Sequence, residues 1–350
     1  MQNLPPDASL DTVNPTTRPY SGLTPDTVLN ALESCGLRGD GRLIALNSYE
    51  NRVYQVWLED PAAHDDLGLG DSVVAKFYRP ARWSTAAILE EHAFVAELAE
   101  REIPAEPPLV LVGNTLHEYE GFRFSVTRRL RGRAPEMDDD ETLTWMGRFM
   151  GRIHAIGELR AFEHRPTLDI QSFGVEPRDF LLQNNFVPTE LLPAWESVSA
   201  MALDGVRAVF ARTGPVKSLR LHGDCHASNV LWNDTGPHFV DFDDCRMGPA
   251  VQDLWMMLSG DRDSMQRQLR AVISGYEDFC EFDDTELQLI EALRTLRLLH
   301  YSGWIARRWN DPAFPAAFPW FNTQRYWQDR VLELREQIAA MQEPALSAAA

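Results

Sequence analysis

No run of eighteen apolar residues occurs in the 350-residue chain, which excludes a membrane-spanning helix. Cysteine is scarce. Cys35, Cys225, Cys245 and Cys280 stand far apart with no C-x-x-C pair, the pattern of free thiols in a reducing cytoplasm, not of a disulfide framework. Positive charge is in deficit: 33 Lys and Arg stand against 52 Asp and Glu, a net charge of −19. Phosphate contacts need cations, so the chain is a poor candidate for nucleic-acid binding, and no nucleic-acid partner is expected. The acid excess serves solubility and suits cationic partners. The opening stretch MQNLPPDASLDTVNPTTRPYSG has neither a basic n-region nor an apolar h-region. It is not a secretory signal, and residues 1–22 are expected to form a mobile tail. No solenoid-type repeat is present. The 44% hydrophobic fraction is ample for a core, and the length allows one large or two medium domains.

The chemistry concentrates in Leu221 to Pro249, LHGDCHASNVLWNDTGPHFVDFDDCRMGP. His222-Gly223-Asp224 places a carboxylate in a tight turn. Val230-Leu231-Trp232 and His238-Phe239-Val240 read as short strands joined by the turn-forming run Asn233 to Pro237. Such a hairpin brings Asn229 and Asp241 to one end, with Asp224 in the loop before it. A carboxylate beside an amide suits Mg²⁺, a hard ion that also takes substrate phosphates. A second carboxylate nearby can orient a hydroxyl and accept its proton. These are the parts of a phosphoryl-transfer site.

Upstream the periodicity predicts a helix opened by Thr24-Pro25-Asp26 and closed at Gly36. Strands follow at Leu43–Leu46, Val53–Trp57 and Ser72–Tyr78. Arg82 to Arg101 reads as a helix in which Ala87, Ile88, Glu91, Phe94, Val95 and Leu98 share one face. Glu91 therefore points with the apolar side chains, and Lys76 is a charge inside an apolar strand. Together they imply an ion pair. Further strands are expected at Leu109–Val112 and Gly121–Thr127. Asp138 to Glu141 reads as a capping run for a helix reaching Ile156, and His154 as a hydrogen-bonded core histidine. Later helices are expected at Pro188–Arg212, punctuated by Pro193, at Ser264–Cys280 and at Asp284–Arg308. The aromatic-rich last third packs a core.

H-G-D-x-x-x-x-N followed by an apolar residue and D-F-D resembles the phosphotransferase family of aminoglycoside, choline and homoserine kinases, small relatives of the eukaryotic protein kinases. Gly223 stands where protein kinases carry an Arg that reads a phosphorylated activation loop, and His226 where they carry a Lys. About ten residues separate Asp241 from the next helix, which leaves no room for a long activation loop. The resemblance gives Lys76, set by Glu91, the task of holding the α- and β-phosphates, and gives Asp253 that of bracing the catalytic loop. The glycine-rich loop of protein kinases is absent. Its place falls to Asn47-Ser48-Tyr49-Glu50-Asn51-Arg52, where Ser48 and nearby N–H groups can cradle phosphate. His226, when protonated, would add charge near the γ-phosphate.

LNSYENRVY from Leu46, VAKFYRP from Val74 and ILEEH from Ile88 narrow the resemblance to the bacterial stress response kinase A (YihE-type) family. That family implies a cytoplasmic, monomeric Ser/Thr protein kinase able to autophosphorylate. It implies a functional serine at Ser48, a catalytic Asp at Asp224, and Mg²⁺ ligands at Asn229 and Asp241. ATP is the co-substrate, and the partner is a protein acceptor, with neither nucleic acid nor membrane. The implied fold is α+β and protein-kinase-like, with ATP in the cleft between two lobes: an antiparallel-sheet N-lobe over residues 23–129 and a mainly helical C-lobe over 130–341. Residues 342–350 are expected to fray. Three other readings stand beside this one. The acceptor can be a small hydroxyl compound such as an amino alcohol, sugar or aminoglycoside; the fold can be a non-catalytic nucleotide-binding scaffold; or His222, Cys225, His226 and Cys245 can hold zinc.

Overall fold

The computed structural model describes residues 19–348; residues 1–18 of the expected N-terminal tail lie outside it. The first helix, α1 (Pro25–Ser34), starts where capping chemistry demands: the Thr24 hydroxyl accepts the Thr27 N–H, and Pro25 occupies the first helical position. Strands β1 (Gly39–Ala45), β2 (Arg52–Leu58) and β3 (Ser72–Phe77) follow, then α2 (Thr85–Glu100), β4 (His117–Tyr119) and β5 (Phe122–Arg128). The five strands form one antiparallel sheet in the order β1-β2-β3-β5-β4. Val56, Val73, Ala75, Phe77, Phe124 and Val126 are buried beneath it and pack with Val28 and Leu32 of α1.

The expected strand at 109–112 is not one. Leu109 gives one N–H to Val126, while Leu111 turns back to pair with Asn114. Pro107 and Pro108, which have no N–H to give, deny it a ladder.

The chain divides into two compact units. The first holds residues 19–93, 106–130 and 310–317; the second holds 94–105, 131–309 and 318–348. The second unit carries α3 (Asp140–Gly157), α4 (Glu176–Gln183), α5 (Leu192–Thr213) and the short strand β6 (Leu219–Leu221). Next come the hairpin β7 (Val230–Asn233) and β8 (Gly236–Phe239), strand β9 (Arg246–Gly248), and helices α6 (Val251–Trp255), α7 (Arg262–Tyr276) and α8 (Ile290–Arg307). Helix α9 (Ala313–Ala317) belongs to the first unit and α10 (Gln324–Ala340) to the second. The whole is an α+β protein: an antiparallel sheet in one unit, mainly helices in the other.

Local chemistry sets several boundaries. Asp139 caps α3 by accepting the Thr142 N–H. Pro193 does not punctuate a helix begun at 188; it lies in the first turn of α5, where its missing N–H costs nothing. Of the late aromatics, Phe321 and Trp327 are fully buried, and Trp327 meets Trp195 edge-on at 5.1 Å. Both ends of the described segment are tied to the body of the fold. Tyr20 donates its hydroxyl to the carbonyls of Glu50 and Phe77. Leu346 is buried, and Arg262 holds the carbonyls of Pro344 and Ala345, so residues 342–348 are docked and not frayed. No helix among the described residues is long and apolar enough to cross a membrane.

Candidate active site

The second unit gathers Asp224, His226, Asn229 and Asp241. Strand β6 ends at Leu221, and Gly223, at φ 85°, turns the chain sharply. A Cβ at Gly223 would lie 2.1 Å from the Asp244 carbonyl oxygen. That contact explains why no arginine stands here, since any side chain would displace the backbone of the following D-F-D-D segment.

The turn is pinned from below by Asp253, on α6 and fully buried. Its carboxylate accepts the His222 N–H at 2.8 Å and the Gly223 N–H at 2.9 Å. It also meets Nε2 of His154 at 3.2 Å. A carboxylate cannot donate, so Nε2 does, and in neutral His154 the Nδ1 accepts from the Tyr276 hydroxyl at 3.1 Å. His154 is thus the core histidine its spacing predicts.

His222 ties the turn to the hairpin. Its Nε2–H donates to the Val240 carbonyl at 2.9 Å, and its Nδ1 accepts the Asp224 N–H at 3.3 Å. Both ring nitrogens are engaged, so the tautomer is fixed. The residue before Asp241 and the backbone of Asp224 therefore hang on one imidazole. Sequence reasoning weighed His222 only as a zinc ligand, and its use of both nitrogens argues against that. Among the described residues no group of three or more His, Cys, Asp or Glu side chains gathers as a metal site. Burial, then the charges of Asp253 and Asp224, pushes the Cys225 thiol well up, away from the thiolate a zinc would need.

The hairpin pairs Val230 with Phe239, and Val240 N–H donates to the Asn229 carbonyl at 3.0 Å. Asn229 and Asp241 thus come to the same end, as their spacing predicts. Asn229 Nδ2 donates to the Asp224 carbonyl at 2.9 Å, which leaves its Oδ1 without a partner among the described residues. Asp241 is exposed and left-handed, at φ 61° and ψ 59°, a backbone region that L-residues other than Asn and Asp rarely enter. An oriented amide oxygen and an exposed carboxylate at one end of a hairpin are donors that suit one Mg²⁺ keeping waters or phosphates as its other ligands.

The Asp224 carboxylate has two basic side chains beside it. Arg297 of α8 reaches Oδ1 at 2.8 Å, and Nε2 of His226 lies 3.4 Å from Oδ2. Burial raises the Asp224 pKa, but the His226 hydrogen bond and the Arg297 charge outweigh it, against opposition from Asp244. The net shift is downward, so the carboxylate is ionised across neutral pH. Arg297 was not anticipated. It lies 73 positions from its partner, and no local pattern marks it.

The first unit gathers the other predicted residues. Lys76 Nζ lies 3.3 Å from Glu91 Oε1, with Glu91 buried, so strand β3 and helix α2 make the expected ion pair. Ser48 lies in the turn between β1 and β2, half-buried, its hydroxyl without a partner among the described residues.

A five-stranded antiparallel sheet bearing a Lys–Glu pair, and an H-G-D turn feeding an Asn–Asp hairpin, are the marks of a phosphotransferase. The chain belongs to the phosphotransferase enzyme family, whose model matches residues 42–292. It is 43% identical over 327 residues to stress response kinase A of Escherichia coli strain K12, covering 93% of this chain and 96% of that protein. It is 41% identical over 331 residues to the serine/threonine protein kinase RdoA of Salmonella typhimurium strain LT2, with the same coverage. Solved structures share the fold at low identity. An amicoumacin kinase in complex with AMP-PNP, Ca²⁺ and Ami superposes with a TM-score of 0.69 at 17% identity, over 92% of this chain and 94% of that one. A microcompartment-associated aminopropanol kinase does so with a TM-score of 0.62 at 15% identity, over 90% and 95%. The protein is an enzyme of the kinase type.

Proposed function

We propose that this enzyme is a Mg²⁺- and ATP-dependent Ser/Thr protein kinase of stress response that also phosphorylates itself. The observation that carries the reading is the bracing of the H-G-D turn: Asp253 and His222 fix the backbone that presents Asp224 beside Asn229 and Asp241. Asp224, ionised at neutral pH, orients the acceptor hydroxyl and takes its proton as the oxygen bonds to the γ-phosphorus and the bond from that phosphorus to the β–γ bridging oxygen breaks, so that ADP leaves. Asn229 and Asp241 would hold Mg²⁺, which would supply positive charge to neutralise the nucleotide's phosphates. Lys76, steered by Glu91, takes the α- and β-phosphates, and Ser48 and its loop cover them. His226 steadies Asp224 through Nε2 and presents Nδ1, which has no partner among the described residues, to the nucleotide.

A protein acceptor is supported by the identities with stress response kinase A and RdoA and by Arg297. A guanidinium 2.8 Å from the catalytic carboxylate repels an ammonium, so it disfavours amino-alcohol and aminoglycoside acceptors. We place the activity in the cytoplasm and in a monomer; the four cysteines are free and buried, as a reducing compartment permits.

The test is transfer from γ-labelled ATP with Mg²⁺ to an acidic protein, a basic protein and a panel of hydroxyl compounds, each with wild type and Asp224→Asn. Label on protein Ser/Thr, reduced about 10²–10⁴-fold in the variant, is the expected result for loss of a general base. Label confined to a small molecule would assign the enzyme to the small-molecule kinases, and nucleotide binding without transfer would make it a scaffold.

A further inference from the structure

The loop that stands in the place of a glycine-rich lid contains no glycine: Leu46-Asn47-Ser48-Tyr49-Glu50-Asn51-Arg52. A glycine-rich loop offers N–H groups to phosphate because its backbone is free to adjust. This loop is gripped on its acceptors: the Asn51 side-chain oxygen takes the Arg79 N–H at 3.1 Å, and three of its carbonyls are held by side-chain donors. Arg79 donates Nε to the Glu50 carbonyl at 3.0 Å and a terminal nitrogen to the Tyr49 carbonyl at 3.4 Å. Arg52 donates to the carbonyls of Tyr49 at 3.1 Å and Asn51 at 3.2 Å. The Tyr20 hydroxyl adds a second donor to the Glu50 carbonyl at 3.0 Å.

In a trans peptide the C=O of one residue and the N–H of the next point in opposite directions. Drawing the Tyr49 and Glu50 carbonyls toward the arginines therefore turns the N–H groups of Glu50 and Asn51 the other way. The Ser48 N–H has no partner among the described residues. Successive N–H groups facing one side make an anion-binding concavity.

One carboxylate aims both arginines. Asp311, from the segment 310–317, accepts Arg52 on both oxygens at 3.0 Å and Arg79 on Oδ2 at 2.6 Å. Glu50 Oε1 takes Arg79 Nε at 2.9 Å. Asp311 and Arg79 are both buried, so Arg79 cannot swing to solvent cheaply, and Arg52 is held by both oxygens of the same carboxylate.

We propose that Asp311 is a positioning residue for nucleotide binding: through Arg52 and Arg79 it holds the carbonyls of residues 49–51 aside and so presents the loop N–H groups to the phosphates of ATP. The inference rests on the reading of the Ser48 loop as the nucleotide loop. It supplies what glycine supplies elsewhere, with order in place of freedom: the N–H groups are oriented before the phosphate arrives.

The test uses the full chain with Mg²⁺ and ADP, titrated by calorimetry, and ATP kinetics on the best acceptor found above. Asp311→Asn is expected to raise the Kd for ADP and the KM for ATP about tenfold, within the range that small misplacement of a positioning group produces. The kcat should change little and the acceptor KM not at all. Amide hydrogen exchange should quicken at 48–51 and stay slow in α1 and α2. Asp311→Glu should recover most of the affinity. A variant that binds ADP like wild type overturns the proposal. So does an exchange increase spread evenly over the first unit, because the residue then serves stability alone. Wild type that binds no nucleotide would instead sink the kinase reading and this inference with it. The two failures are told apart by whether the wild-type titration is silent.

Discussion

The H-G-D turn and the Ser48 loop are each held by one buried aspartate, and they are held by opposite ends of the peptide. Asp253 accepts the N–H groups of His222 and Gly223 directly. Asp311 never touches its loop's backbone; it aims two arginines that donate to carbonyls. The difference follows from what each segment offers. The turn offers a side chain, the Asp224 carboxylate, so its N–H groups can be consumed in holding it still. In the role proposed for it, the Ser48 loop offers its N–H groups to phosphate, so its anchor has to grip the carbonyls, and only donors can do that. Arginine, with five N–H donors in a planar fork, can hold a carboxylate and a carbonyl together.

The sharpest way to break the first half of this comparison is Asp253→Ala. It leaves two buried N–H groups and His154 without their acceptor. A loss of about 3–5 kcal/mol in urea-unfolding stability is expected, with activity falling alongside it. Stability within 1 kcal/mol of wild type, a threshold set by one ordinary hydrogen bond, would mean that the turn is held by something else.

Next in size is Gly223→Ala. Its left-handed φ and the 2.1 Å approach to the Asp244 carbonyl should together cost roughly 2–4 kcal/mol, read as a lowered urea midpoint. A tolerant site would show that the D-F-D-D segment can retreat.

The brace can also be probed through pH. Glu286 accepts the Val251 N–H at the start of α6, the helix that carries Asp253. Burial pushes its pKa up to about 7, against the Val251 hydrogen bond and with help from the Asp283 charge. The folded state therefore keeps this proton after the unfolded chain has released it near 4.5. Stability is full below that value and falls as pH rises toward 7, by roughly 2–3 kcal/mol. Urea midpoints at pH 5 and pH 8 should show this drop in wild type and a smaller one in Glu286→Gln. Equal slopes would remove the assignment.

The smallest expected effect is that of Arg297→Gln. Removing the cation lets the Asp224 pKa rise, so the acid limb of kcat/KM should move to higher pH. Ammonium-bearing acceptors should gain a few-fold relative to neutral ones, the scale of one partly exposed charge. A pH profile and an acceptor ranking identical to wild type would leave Arg297 no part in choosing the acceptor.

Much of the site was legible because its geometry is short-range. The hairpin register that brings Asn229 to Asp241 needs only two runs of alternating residues and a turn between them. Glu91 could be placed on the inward face by a spacing of three and four, and the strand charge opposite it followed. A further signal went unused. Lys76 and Lys217 are the only lysines among 33 basic residues. In a chain that uses arginine almost everywhere, a lysine inside a strand marks a place where a compact point charge is wanted.

Sequence by itself determined the α+β class, the capped helices, the His154 core role and the order of the H-G-D, Asn and Asp groups, because capping, periodicity and turn chemistry act over a few residues. Only the tertiary structure decided that Arg297 reaches Asp224 across 73 positions and Asp311 reaches Arg79 across 232. It also decided that both nitrogens of His222 are spent on backbone, and that Gly223 is enforced by the Asp244 carbonyl. These contacts belong to arginine, aspartate, histidine and glycine, residues that in sequence look like ordinary surface and turns. What selects them is which backbone groups the folded core leaves without water, and no window of neighbouring residues contains that information.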